Sequence, residues 1–122
     1  MTVTAPTSVI IADDEFAVRE LISDLFKDHG FQVRGTASCL NEIVDLYKKH
    51  QPDMVTLDMR MPDGGLSAIK ALQAIDPNVR IMVISGVSTG ATIDVAKSLG
   101  VKAFVAKPVR WEEIDKAILA LL

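Results

Sequence analysis

Carboxylate, hydroxyl and ammonium side chains recur along this chain at the ends of short apolar segments. The acidic pair Asp13 and Asp14, then Asp58, Ser85 and Lys107, each follow such a segment. Apolar runs with little polar alternation are typical of strands that are covered on both faces of a parallel sheet. Because the carboxyl ends of parallel strands lie at one edge, we expect these five side chains to converge there.

The combination of side chains predicts a metal ion and a phosphoryl group at this edge. Neighbouring carboxylates repel one another by about 4 kcal/mol per close pair at an effective dielectric constant near 20, so a cation is expected. Oxygen ligands without nearby His or Cys favour Mg²⁺ or Mn²⁺ over zinc. Asp58 could accept a phosphoryl group as an acyl phosphate, with the metal and Lys107 neutralising the transferring oxygens. Ser85 offers a hydroxyl, and Gly86 leaves room for the group.

Each of these residues also has an ordinary structural interpretation. Asp13 and Asp14 could simply favour the dipole of the following helix, and Asp58 could cap the turn before Pro62. Ser85 could cap a helix, and Lys107 could be a solvated lysine. Their joint placement at strand ends is what favours a common site.

The composition indicates one domain and excludes several classes of protein. The 122 residues suit a single domain, predicted over 1–122 with a flexible lead-in at 1–7. A net charge of -3 argues against direct binding of nucleic acid. Cys39 is the single cysteine, so neither an internal disulfide nor a zinc cluster is expected. No membrane span or signal peptide is visible, which predicts a cytoplasmic protein.

Hydrophobic periodicity predicts five strands alternating with five helices. The strands are expected at 8–12, 31–37, 54–58, 81–84 and 103–106. The first helix should start at Phe16 and end at Gly30, Ser38 should cap the second, and the fourth should span 89–99. Alternation of this kind implies right-handed parallel βαβ units, and therefore an α/β doubly wound fold.

The helical spacing of apolar residues also predicts which side chains face the core. The predicted inner faces are Val18, Leu21, Ile22 and Leu25 in the first helix, Leu40, Ile43, Val44 and Tyr47 in the second, Ala68, Ala71, Leu72 and Ile75 in the third, Thr92, Val95, Ala96 and Leu99 in the fourth, and Ile114, Ala117, Ile118 and Leu121 in the fifth.

Taken in order, the motifs Asp-Asp, Asp-x-x-Met-Pro, Ser-Gly and Lys-Pro resemble those of the receiver domains of two-component response regulators. The resemblance extends over residues 8–121, and the chain is similar in particular to the stand-alone receiver domains of the chemotaxis type. The resemblance implies a flavodoxin-like (βα)5 fold with strand order 2-1-3-4-5. It also implies a phosphoprotein that accepts its phosphoryl group from a histidine kinase or a phosphotransfer protein, and that is not an enzyme acting on external substrates.

The resemblance further implies roles for individual residues. Asp58 would be the phosphoacceptor, and Asp13 and Asp14 would hold Mg²⁺ with Asp58 and the main-chain carbonyl of Arg60. Ser85 and Lys107 would contact the phosphoryl group, and Ser85 and Phe104 would act as the switch. The Lys107–Pro108 peptide bond would be cis.

Output is expected through protein contacts of the fourth helix, the fifth strand and the fifth helix, since the sequence has no segment for an output domain. The residues expected on that surface are Ile93, Lys97, Lys102, Phe104 and Trp111.

Three departures from the family pattern are expected to matter. The loop 62–66 is one residue shorter than is common in the family. Arg60 and Val87, which lie two residues beyond Asp58 and Ser85, are not the pair most often found in chemotaxis members, and we expect them to set the lifetime of the phosphate.

Other functions remain open from the residues alone. A phosphatase working through aspartyl phosphate would need a second aspartate two residues after Asp58, where Arg60 stands. A flavin or nucleotide carrier would need a glycine-rich loop after the first strand. A receiver fragment of a larger DNA-binding regulator and an unphosphorylated receiver-like scaffold are the remaining alternatives.

Overall fold

A computed structural model describes residues 7–86 and 90–121. Strands and helices alternate through these ranges. The strands are β1 (Ser8–Ala12), β2 (Gln32–Ala37), β3 (Met54–Leu57), β4 (Ile81–Ser85) and β5 (Ala103–Ala106). The helices are α1 (Phe16–Asp28), α2 (Leu40–His50), α3 (Gly65–Ile75), α4 (Gly90–Ser98) and α5 (Trp111–Leu121). The predicted lead-in up to Pro6 and the predicted roles of Val87 and Thr89 lie outside the described residues.

The strands form one parallel sheet in the order β2-β1-β3-β4-β5, which confirms the predicted fold. Ala12 at the end of β1 pairs with Leu57 at the end of β3. Ser85 at the end of β4 pairs with Ala106 at the end of β5. This register brings the residues that follow each pair to the same edge of the sheet.

Two apolar layers cover the two faces of the sheet. One layer contains buried residues of α2, α3 and α4, such as Ile43, Leu72 and Ala96. The other contains buried residues of α1 and α5, such as Phe26 and Ile114. Strands enclosed in this way are apolar almost throughout, and β1, β3 and β4 are buried along nearly their whole length.

The prediction of a core-facing side chain was wrong for three helix residues. Leu21 of α1 is 48% exposed, Ile75 of α3 is 37% exposed and Val95 of α4 is 41% exposed. In α1 and α3, fully buried residues missing from the prediction, Phe26 and Ile69, contribute to the core. The apolar stripe of a helix is broad, so the sequence does not fix how the helix is rotated about its own axis. Contact with the sheet determines which apolar residues of the stripe are buried.

The start of α2 also differs from the prediction. Cys39 occupies the N-cap position, but its side chain makes no capping hydrogen bond to the helix. Ser38 lies one residue earlier, where its main-chain N–H and its hydroxyl both donate to Oε1 of Glu42, at 2.7 and 2.8 Å. Glu42 therefore reaches back over the first turn, as the glutamate of a capping box does.

No helix in ranges 7–86 and 90–121 is both long enough and apolar enough to cross a membrane.

Candidate metal and phosphoryl site

Asp13 and Asp58 lie side by side because the strands before them are paired. The N–H of Asp58 donates to the carbonyl of Ala12 at 3.0 Å, and the N–H of Asp13 donates to the carbonyl of Ala37 at 3.0 Å. These bonds extend the ladders of the sheet by one residue. Both aspartates are at most 1% exposed.

Asp14 completes a cluster of three carboxylates with Asp13 and Asp58. One oxygen from each of the three lies within 4.8 Å of the others. Asp14 is exposed, whereas its two partners are buried, so the cluster opens to solvent on one side. A set of oxygen donors with excess negative charge and one open side is the kind of site that Mg²⁺ occupies in proteins. The residues therefore fit the predicted metal.

Lys107 links the two buried aspartates. Its Nζ lies 2.8 Å from Oδ2 of Asp13 and 3.6 Å from Oδ2 of Asp58. The main chain holds this lysine in place, since its N–H donates to the carbonyl of Ser85 at 3.0 Å. Burial by itself would lower the pKa of Lys107, but the hydrogen bond to Asp13 and the charges of Asp13 and Asp58 outweigh it and raise the pKa. The ammonium group is therefore charged at neutral pH.

The environment of Asp58 disfavours its negative charge. Burial is the largest cause, and the nearby charge of Asp13 adds to it, so that the pKa of Asp58 is raised. The N–H of Arg60, which donates to Oδ1 at 3.1 Å, and the charge of Lys107 act in the opposite direction. A carboxylate that is poorly compensated in this way is suited to bind a cation or to react with an electrophile.

Asp13 is held by two further contacts that the sequence did not predict. Its Oδ1 accepts a hydrogen bond from the N–H of Glu15 at 2.9 Å. Its main-chain carbonyl accepts one from Nη1 of Arg19 at 2.7 Å. The only sequence signal for the second contact was the position of Arg19, near the start of the helix that follows the acidic pair. That position is also compatible with a solvated side chain, so spacing alone could not assign it.

Ser85 lies at the end of β4 and is 5% exposed. With Ile93 and the half-buried Phe104 it lines a cavity of about 260 Å³ between β4, α4 and β5. Lys97 of α4 places its Nζ 5.7 Å from the centroid of the Phe104 ring, within the range of a cation–π interaction. The two residues predicted to act as the switch thus line the same cavity.

Two other predictions concern residues that follow β5. The Lys107–Pro108 bond is cis, as the resemblance implied. Trp111 is partly buried and packs towards the end of α1, where its ring stacks on His29 at 3.9 Å and meets Phe26 and Phe31 edge to face. Contacts within the protein therefore account for the partial burial of the Trp111 side chain.

Comparison with known proteins identifies the family. The family model for the response regulator receiver domain matches residues 9–119. The chemotaxis protein CheY of Thermotoga maritima is 36% identical over 111 residues, which cover 90% of this chain and 92% of that protein. The sporulation initiation phosphotransferase F of Bacillus subtilis is 32% identical over 111 residues, with coverage of 90% and 89%.

A solved structure agrees with these relatives. A chain in the crystal structure of the CheX-CheY-BeF3-Mg²⁺ complex from Borrelia burgdorferi matches with a TM-score of 0.89 and 28% identity, covering 95% of this chain and 89% of that one. The convergent acidic cluster, the strand order and these relatives lead to one conclusion: the chain belongs to the receiver domain family of two-component response regulators.

Proposed function

We propose that Asp58 accepts a phosphoryl group from the phosphohistidine of a histidine kinase or a phosphotransfer protein. The observation that carries the proposal is the ammonium group of Lys107, which lies between the buried carboxylates of Asp13 and Asp58 at the open edge of the sheet. The similarity to chemotaxis and sporulation proteins supports a role in phosphoryl signalling.

The transfer is a displacement at phosphorus. A carboxylate oxygen of Asp58 forms the new P–O bond while the P–N bond of the phosphohistidine breaks. The electron pair of that bond stays on the imidazole nitrogen, which takes up a proton from solvent. Lys107 neutralises charge on the phosphoryl oxygens, and the hydroxyl of Ser85 donates to one of them.

Receiver domains bind Mg²⁺, and the acidic cluster of this chain suits that ion. Asp13, Asp14, Asp58 and the main-chain carbonyl of Arg60 would hold it, and Mn²⁺ would fit the same oxygen ligands. When bound, the ion neutralises the carboxylates and the incoming phosphoryl oxygens. Arg19 supports this arrangement by keeping the main chain at Asp13 in place.

The phosphorylated state is read out by protein partners at the surface of α4, β5 and α5. A phosphoryl group on Asp58 gives the Ser85 hydroxyl a new acceptor, and Phe104 then moves into the cavity beside Ser85. Lys97 loses its position over the ring when this happens, so the surface changes shape and charge together. Normal phospho-dependent partner binding by Ile93→Ala and Lys97→Ala variants would contradict this choice of surface.

Arg60 is exposed two residues beyond Asp58, where it borders the path of a hydrolytic water. Replacing Arg60 with serine should therefore change the dephosphorylation rate. An unchanged rate would show that this side chain does not set the lifetime.

The decisive experiment is incubation with Mg²⁺ and phosphoramidate or acetyl phosphate, followed by intact-mass measurement. The expected result is a gain of one phosphoryl group that requires Mg²⁺ and is absent in Asp58→Asn. A folded, Mg²⁺-binding wild type that gains no mass would point to an unphosphorylated scaffold. Sustained hydrolysis of a soluble phosphomonoester would instead indicate a phosphatase.

A further inference from the structure

The loop between β3 and α3 is tied to another element by a contact that lies away from the acidic cluster. Oδ2 of Asp63 accepts a hydrogen bond from the N–H of Leu40 at 3.1 Å. Leu40 is the first residue of α2, and the N–H groups of a first helical turn have no partner within their own helix. Cys39 at the N-cap supplies no side-chain acceptor. Asp63 supplies one from a different loop, 23 residues away in sequence.

The rest of this loop is held by short-range contacts. The N–H of Gly64 donates to the carbonyl of Met61 at 2.8 Å, which closes a tight turn with Pro62 and Asp63 in its middle. The N–H of Gly65 donates to the carbonyl of Met59 at 3.3 Å. Met61 is 3% exposed and is anchored in the core. Asp63 therefore lies at the exposed tip of a turn that is fixed at its base.

Arg60 lies within this same loop, two residues after Asp58. Its N–H donates to Oδ1 of Asp58, and its carbonyl is the proposed main-chain ligand of the metal. A displacement of the loop would therefore move a hydrogen bond to the reacting carboxylate and a ligand of the metal together. The hydrogen bond from Leu40 joins the tip of this loop to the start of α2.

We infer that Asp63 is a positioning residue for phosphoryl transfer, which acts by holding the loop that carries Arg60 against the N-terminus of α2. This inference rests on the proposed function of Asp58. A carboxylate at a helix N-terminus is stabilised both by the charge-assisted hydrogen bond and by the helix dipole. Without it, the tip of the turn is released, so the hydrogen bonds at its base open more often and the loop spends less time in the arrangement that serves the site.

The first measurement is amide hydrogen exchange by NMR in metal-free protein. In Asp63→Ala, the amides of Arg60, Gly64 and Gly65 should exchange about two- to five-fold faster, the scale expected for one exposed contact at a helix N-terminus. Asp63→Asn keeps a hydrogen-bond acceptor but removes the charge. Its amide exchange rates should therefore lie between those of Asp63→Ala and those of the wild type.

Glu42→Ala is the matched control. It removes the other carboxylate at the start of α2, the one bound to Ser38, without touching the loop. It should leave the exchange of Arg60, Gly64 and Gly65 unchanged. Equal acceleration in both variants would show that Asp63 merely stabilises α2, and the inference would be overturned.

The second measurement is the rate of phosphorylation by phosphoramidate across a Mg²⁺ titration. Asp63→Ala should raise the Mg²⁺ concentration for half-maximal rate about two- to five-fold, and Glu42→Ala should not. Wild-type rates and unchanged exchange in Asp63→Ala would refute the inference while leaving the role of Asp58 intact. A wild type that is never phosphorylated would instead refute the proposed function, and the exchange data would still decide whether Asp63 holds the loop.

Discussion

Asp58 is a residue whose charge the metal-free protein accommodates poorly. It is 1% exposed, its pKa is raised mainly by burial, and Asp13 adds a like charge beside it. Groups with this property recur at functional sites because a bound ligand relieves the unfavourable charge. In this chain the relief is expected from a cation.

The first prediction concerns Asp58→Asn in protein kept free of metal with EDTA. A carboxyl group whose pKa is higher in the folded state than in the unfolded state destabilises the fold once it ionises. The variant should therefore be more stable than wild type at neutral pH by about 1 kcal/mol, or roughly 4 °C in Tm.

The same reasoning gives the pH dependence of that difference. It should be largest above the raised folded-state pKa of Asp58 and should close as the pH falls towards the ordinary aspartate value of about 3.9. Thermal unfolding between pH 4 and pH 8 measures it. A variant that is less stable at neutral pH, or a difference that does not depend on pH, would contradict a raised pKa for Asp58.

The second prediction concerns Thr56, which is 1% exposed in β3. Its hydroxyl has no hydrogen-bond partner in the described part of the chain. Thr56→Val keeps the shape and removes a buried polar atom, so it should stabilise the protein by about 1 kcal/mol, at the lower end of the range for an unsatisfied group. Urea unfolding checks this, and a loss of stability would indicate that the hydroxyl has a partner in solution.

At the scale of elements, the starts of α3 and α4 show how differently glycine can be used. Both helices begin with glycine. A Cβ added to Gly65 would lie 2.5 Å from Cα of Met59, so α3 packs directly on the main chain next to Asp58. A Cβ added to Gly90 would meet nothing within 4 Å among the described atoms. Only the first glycine is required by packing.

The third prediction follows from this contrast. Gly65→Ala should destabilise the protein by about 1–3 kcal/mol because main-chain atoms must shift to admit the methyl group. Gly90→Ala should be neutral or stabilising by up to about 1 kcal/mol, since it restricts the unfolded chain without a clash. Unfolding of the two variants in urea measures the contrast, and equal effects would contradict the close packing of α3 on Met59.

At the scale of the whole molecule, the parallel sheet brings residues far apart in sequence to one edge. Lys107 contacts Asp13 across 94 positions of the chain. The unfolded chain has no such assembly, so an ion that needs all three carboxylates binds the folded state alone. Binding of that kind couples metal affinity to stability.

The fourth prediction is that Mg²⁺ raises the Tm and that EDTA reverses the effect. Binding to the folded state alone stabilises it by about 2.7 kcal/mol when the ion is present at 100 times its Kd. Asp13→Asn and Asp58→Asn should lose most of this increase. Asp115→Asn, which removes an exposed carboxylate on α5, should keep it. A similar response in all variants would indicate that Mg²⁺ acts on the surface charge in general.

The sequence by itself determined the elements and the positions of the polar strand ends. β1 and β5 begin and end where the apolar runs predicted, because the strands of a parallel sheet that is covered by helices are mostly apolar. Asp13, Asp58, Ser85 and Lys107 were placed by the same signal. The strand order and the assigned roles came from the resemblance, and only the order is confirmed.

The tertiary structure alone decided which residues at the margins of the helical apolar stripes are buried and which distant groups touch. Burial of Phe26 and exposure of Leu21 depend on how α1 rotates against the sheet, which a broad apolar stripe does not specify. The contacts of Arg19 with the Asp13 carbonyl and of Asp63 with Leu40 join a side chain to the main chain. Almost every residue has a main-chain N–H and carbonyl group, so residue type and spacing do not predict which of these groups a side chain will bind. The partners are determined by how the helices and strands pack.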